Sequence, residues 1–153
     1  IEMADHWRVT AESNTGTNGF VTSNWERNDS TGFGQLGTGL TESSGVFSFP
    51  STGIYKIIFT ASFEIEASDT ACDLELYITT DNSSYNSVAV ARSGNNGSGV
   101  VNGTGASHFL FDITNISTHK FKFRTGTMGG STYLRGHTDK NHTSFLVVRL
   151  GDT

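Results

Sequence analysis

Between residues 54 and 66 the chain alternates strictly. Tyr55, Ile57, Phe59, Ala61, Phe63 and Ile65 hold one parity; Lys56, Thr60, Ser62, Glu64 and Glu66 hold the other. Successive side chains of a strand point to opposite faces, so this spacing predicts a strand with one buried face. Residues 72–80 repeat the pattern, with Cys72, Leu74, Leu76 and Ile78 against Asp73, Glu75, Tyr77 and Thr79. Residues 107–114 set Phe109, Phe111 and Ile113 inward. Residues 119–125 set Phe121 and Phe123 inward and Lys120, Lys122 and Arg124 outward. A weaker strand is predicted over 88–92, and a short alternating stretch over 1–12 sets Trp7, Val9 and Ala11 against His6, Arg8 and Thr10. Residues 144–150 break the rule. Leu146, Val148 and Leu150 form one face, and Phe145 and Val147 the other. A strand apolar on both faces needs cover on both, from a second layer or from another subunit.

Turn clusters separate these runs: Asp81 to Ser84, Ser93 to Gly105, and Gly126 to Ser131. Residues 13–45 are rich in Gly, Ser, Thr and Asn but carry Phe20, Trp25, Phe33 and Leu40, which a disordered linker would not. They read as short irregular strands and loops. The expectation is an all-β fold of about eight to ten short strands with no helix, a sandwich or jelly roll, as one domain over 1–153.

Composition narrows the function classes. A chain of 153 residues buries a core without disulfides or metals. No apolar run approaches the roughly 20 residues of a membrane helix, so no membrane insertion is expected. A net charge of −5 disfavours nucleic acid and anionic membranes as partners. Cys72 is the only cysteine, which excludes an intrachain disulfide and paired-cysteine zinc motifs. Its core-facing parity makes it an inert small hydrophobe. Asn-x-Ser/Thr occurs at Asn28, Asn82, Asn96, Asn102, Asn115 and Asn141. About three such triplets are expected by chance in a chain this rich in Asn, Ser and Thr, so composition is the simpler reading. The chain opens Ile1-Glu2-Met3, and the expectation is a piece of a longer, fibrous protein.

The stretch from Gly45 to Phe59 resembles the globular head of complement C1q and its tumour-necrosis-factor-like relatives. Leu40, Phe47, Gly53, Tyr55, Ile57 and Phe59 stand at the spacings of that family's signature, with Ile57 in place of a phenylalanine. Upstream the match lapses: Gln35 stands where Asn or Asp is expected, and Asp29 where Phe is. Residues 143–148 look like the family's closing strand. Phe109 to Phe123 looks like its penultimate hairpin, with Asn115 to Thr118 replacing the usual Gly-Asp turn. The resemblance implies a ten-stranded jelly roll that forms a tight homotrimer at the tip of a stalk. It implies binding of a cell-surface glycan or protein receptor, on a virion or outside the cell. The Asn/Gly/Ser/Thr-rich, cysteine-poor composition points to the phage or bacterial branch. Interface candidates under this reading are Ile58, Leu110, Phe145 and Val147. The strands of Cys72 and Phe121 should be antiparallel neighbours, with Asp73 and Glu75 beside Lys120, Lys122 and Arg124.

Catalytic chemistry is not indicated. No Gly-x-Ser-x-Gly elbow precedes a helix and no carboxylate pair has a basic or aromatic frame, so an enzyme is not expected. His137 and His142 flank Asp139 without a third strong metal ligand. Glu64, Glu66, Asp69, Asp73 and Glu75 form an acidic cluster. Such oxygen-rich segments hold calcium, but a solvated hairpin end is the simpler reading, and no cofactor is expected. Trp25, Tyr85 and Tyr133 lie outside the alternating faces and are the candidate ligand-binding residues, since loop aromatics stack on sugars or anchor partners. The alternative to a trimeric head is a carbohydrate-binding β-sandwich module of a larger enzyme.

Overall fold

The computed structural model covers all of residues 1–153 and has eleven strands. In chain order they are β1 (Met3–Val9), β2 (Trp25–Arg27), β3 (Thr41–Ser43), β4 (Val46–Ser48), β5 (Gly53–Ile65), β6 (Cys72–Thr79), β7 (Asn86–Ser93), β8 (Val101–Ile113), β9 (Lys120–Gly126), β10 (Tyr133–Leu134) and β11 (Ser144–Gly151). Two antiparallel sheets face each other. The first runs β8-β5-β11-β1-β2, with β10 continuing beside the far end of β5. The second runs β3-β4-β9-β6-β7. This is an all-β jelly roll: the alternation predicts the two-layered all-β fold, and the C1q-like signature implies the jelly roll.

The core is aromatic and lies between the sheets. Tyr55, Ile57, Phe59 and Phe63 from β5 meet Leu74 and Leu76 from β6 and Phe121 and Phe123 from β9, all buried. Phe109, expected among them, is only partly buried and packs at the margin. Phe47 stacks on Phe121 with ring centroids 5.1 Å apart. Phe145 stands edge-on to Phe47 at 4.7 Å and contacts Phe121 and Phe123 at 5.4 and 5.2 Å. The two-sided last strand is thereby resolved. Phe145 and Val147, expected at a subunit interface, are 1% and 0% exposed within this core. β11 lies mid-sheet between β5 and β1, and its odd-numbered side chains point into the sandwich. They are therefore unavailable to a partner, and Leu146 and Val148 take the outward face.

Two glycines position neighbouring strands. Gly53 has φ +139°, and a Cβ there would lie 2.5 Å from the Gly151 carbonyl and 2.7 Å from Arg149 Nε. The Gly53-x-Tyr55 spacing thus has a backbone cause. On β8, a Cβ at Gly105 would lie 2.6 Å from both the backbone nitrogen and the carbonyl oxygen of Arg92, because β7 crosses closely over β8 there. The turn expected from Ser93 to Gly105 is consequently shorter. β8 starts at Val101 and pairs with β5 along its whole length, from Gly53 opposite Ile113 to Ile65 opposite Val101. The glycines that read as loop punctuation supply clearance between sheets. The expected charge register is present on β6 and β9, where Glu75 stands opposite Arg124 with N···O 3.5 Å.

Candidate functional site

The first sheet has a core side and an outward side. Registers place the outward side chains in rows. His108, Ile58, Leu146 and His6 form one, and Leu110, Lys56, Val148 and Ala4 the next. Residues 28–39 fold back toward the β1–β2 end, where Leu36 bridges Ala4 and the Phe33 ring lies 5.6 Å from the Arg8 guanidinium carbon. The β8–β5–β11 part keeps its apolar side chains wet. Leu110 is 57% and Ile58 37% exposed, with Leu146 and Val148 half-buried beside them. Four apolar residues on three neighbouring strands, with Lys56 and His108 interleaved, form a patch rather than scattered surface hydrophobics.

The fold lowers the pKa of two histidines. Burial lowers the pKa of His6; the Asp5 carboxylate opposes this and the Arg8 guanidinium adds to it. Burial also lowers His142, reinforced by Arg135, His137 and Lys140. Below about pH 6.5 the unfolded chain protonates both while the folded chain resists, so the unfolded state binds more protons and stability rises with pH. Stability from this source is complete above the ordinary histidine pKa and is lost as pH falls from there toward the folded-state values. Thermal melts should give a lower midpoint at about pH 5 than at about pH 7.5, with a flatter dependence in His6→Gln/His142→Gln. An equally steep dependence in that variant would assign the loss to other groups.

The three candidate aromatics do not share a site. Trp25 is on β2 and closes one end of the core, against Phe47, Phe123 and Phe145 at 5.4–5.5 Å. Its Nε1 donates to the Val21 carbonyl at 2.9 Å. It is an edge-strand core residue and not a free loop aromatic. Tyr133 is half-buried on β10, opposite Glu64. Burial, then the neighbouring Glu64 and Glu12 carboxylates, push its phenol up to about 12. Only Tyr85 stands on a loop over the second sheet, where the Lys122 ammonium sits 3.8 Å from its ring centroid.

The other candidates are held by local contacts. The His137 and His142 rings lie 5.8 Å apart, and His137 Nδ1 accepts the Asp139 backbone N–H. The acidic cluster is distributed among separate donors. Glu66 accepts from Ser68 and Ser131, Asp69 from the Gly129 N–H, Asp73 from Arg92 and Thr127, and Glu75 from Ser87. The cations that balance it come from β7 and β9, distant in sequence. No three His, Cys, Asp or Glu side chains converge as a metal site. Burial, with Asp73 and Asp69 nearby, pushes the Cys72 thiol up to about 12, so it stays protonated. Asn28 is buried and its Nδ2 donates to Asn141 Oδ1 at 3.0 Å, which leaves that amide no room for a glycan.

Sequence reasoning missed the buried charges of β1. Asp5 is 0% exposed and accepts from Trp7 Nε1 at 2.9 Å, from the Leu40 N–H at 2.8 Å, and from Arg27 at 2.9 and 3.1 Å. Arg8 is 0% exposed and donates to Glu26 and Asp29, each at 2.9 Å. Alternation sets Arg8 on the polar face with His6 and Thr10, and says nothing of a carboxylate on the core parity, where Asp5 stands with Trp7 and Val9.

No protein-family profile matches the chain, and no curated protein matches it in sequence. Solved structures do match in shape. The tumour-necrosis-factor protein Eiger from S. frugiperda superposes with TM-score 0.66 at 13% identity, covering 100% of this chain and 96% of that one. Murine APRIL at pH 5.0 superposes with TM-score 0.65 at 10% identity, covering 98% and 100%. The class is thus a jelly roll with the fold of tumour-necrosis-factor proteins. At these identities the likeness is one of fold.

Proposed function

We propose that the chain is a non-catalytic head domain that assembles as a homotrimer and engages a receptor or glycan. We place it at the tip of a longer fibrous protein, on a virion or a cell surface. The observation that supports assembly is the exposed apolar patch of Leu110, Ile58, Leu146 and Val148 on the outward side of the first sheet. Packing three such faces about an axis removes that area from water, at about 25 cal/mol per Å² of apolar surface. The resemblance of the 40–59 segment to the C1q-type signature supports the same arrangement. No helix is long and apolar enough to cross a membrane.

Light scattering should return three times the 16.5 kDa of one chain. Leu110→Asp sets three carboxylates against a desolvated face and should return the mass of a single chain with an unchanged circular dichroism spectrum. A wild-type mass of one chain would remove the assembly reading. A Leu110→Asp variant that stays trimeric would move the interface elsewhere.

A further inference from the structure

On the far side of the sandwich from the apolar patch, the second sheet carries an open groove of about 390 Å³. Its floor and one wall are β3, β4 and the start of β9, contributing Thr41, Glu42, Ser48 and Lys120; the opposite wall is the loop after β6, with Asn82 and Tyr85. We infer that this groove binds an uncharged saccharide, with the Tyr85 ring as stacking platform and Lys120, Asn82 and Glu42 as hydrogen-bonding groups.

The loop is built to hold its shape. Asp81 Oδ1 accepts the backbone N–H groups of Ser83 and Ser84 and the Thr79 hydroxyl, each at 2.8 Å. These donors hold the Asp81 carboxyl well below the usual carboxylate range. The Asn82 N–H donates to the Thr118 carbonyl at 3.0 Å, and Asn82 itself adopts φ +59°. Tyr85 is fixed by a stack: the Lys122 ammonium lies 3.8 Å from its ring centroid and 3.7 Å from that of Phe20, which packs edge-on against Tyr77 at 5.3 Å. An aromatic pinned on a locked loop loses little entropy when a ligand stacks on it.

The polar lining is unspent. The Lys120 ammonium, the Asn82 amide and the Thr41 and Ser48 hydroxyls make no hydrogen bond or ion pair with the rest of the chain, and Glu42 uses only Oε1, which accepts the Gly45 N–H. The groove therefore offers donors and acceptors together beside one aromatic ring. Lys120 and Glu42 cancel in formal charge, which disfavours phosphate and other strong anions. With a single ring, the groove does not sandwich a nucleobase. A pyranose matches all three properties, since it presents a C–H face to an aromatic and hydroxyls that both donate and accept.

This deepens the ligand-binding half of the proposed function and rests on it, but not on assembly, because the groove is on the second sheet and the proposed interface on the first. The test is a titration of the ¹⁵N-labelled protein with glucose, galactose, mannose and N-acetylglucosamine, with inorganic phosphate as the anionic comparison. At least one sugar should shift the amides of residues 41–43, 82–85 and 120. Tyr85→Ala and, independently, Lys120→Met should each weaken that sugar about tenfold, with other resonances unmoved. A glycoprotein carrying the responding sugar, immobilised, should retain the protein if the natural source is a surface glycan. Retention blocked by free sugar supports that source, and a response to free sugar alone supports a soluble one. No shift with any of the sugars at about 50 mM overturns the inference, as do shifts confined to other residues or a response to phosphate alone. Light scattering on the same samples separates the two readings. A trimer without sugar shifts defeats this site and leaves the assembly standing; a sugar-binding monomer does the reverse.

Discussion

Phe145→Ala should destabilise the fold by about 3–5 kcal/mol, the range for truncating a buried phenylalanine. The ring touches Phe47, Phe121, Phe123 and Trp25, which come from three other strands of both sheets, so no single neighbour can relax into the cavity. Against a domain stability of about 5–15 kcal/mol this is a large fraction. Chemical denaturation in the Leu110→Asp background, which removes any contribution of the proposed assembly, is the clean comparison. In that background Leu146→Ala, one residue away on the outward face, should cost far less. Equal losses at the two positions would mean that β11 has been placed with the wrong face inward.

Asp5→Ala should cost a comparable amount, about 3–5 kcal/mol, because removing one partner leaves the others buried and unpaired. The Trp7 indole N–H and the Leu40 N–H would lose their acceptor, and Arg27 its bidentate partner. Arg27 is partly exposed and can rehydrate, whereas the indole and the amide cannot. Arg27→Met should therefore be milder than Asp5→Ala. A loss below about 1 kcal/mol for Asp5→Ala would show that water reaches these groups.

These two residues mark what the sequence makes legible. Strand alternation finds faces wherever one side is apolar and the other polar, as on β5, β6 and β9. It is silent where both sides are apolar. On β11 the choice between Phe145 and Leu146 depends on which neighbours the strand has, and only topology supplies that. It misleads at Arg8, set on the polar face by parity but buried against Glu26 and Asp29, and it does not foresee the charge at Asp5, whose burial is made tolerable by Arg27, 22 residues away in the chain. At Gly105 it reads a loop where a strand must lie close beneath another. The candidate site shows the same division. Tyr85 stands out from the sequence as a loop aromatic. The groove beside it does not, because β3, β4, β9 and the 81–85 loop meet only after the second sheet has formed.

The position of β11 also fixes an order of events. It is last in the chain yet lies between β5 and β1 in the first sheet. Until residues 144–151 have been synthesised, β1 has only the three-residue β2 to pair with, and β5 lacks a partner along its β11 side. A ribosome-bound chain must therefore carry Tyr55, Ile57 and Phe59 on an unfinished sheet until β11 emerges. Such non-local pairing slows folding and lengthens exposure to aggregation. Deleting residues 144–151 should thus leave a chain that cannot close, rather than a slightly smaller version of the same sandwich.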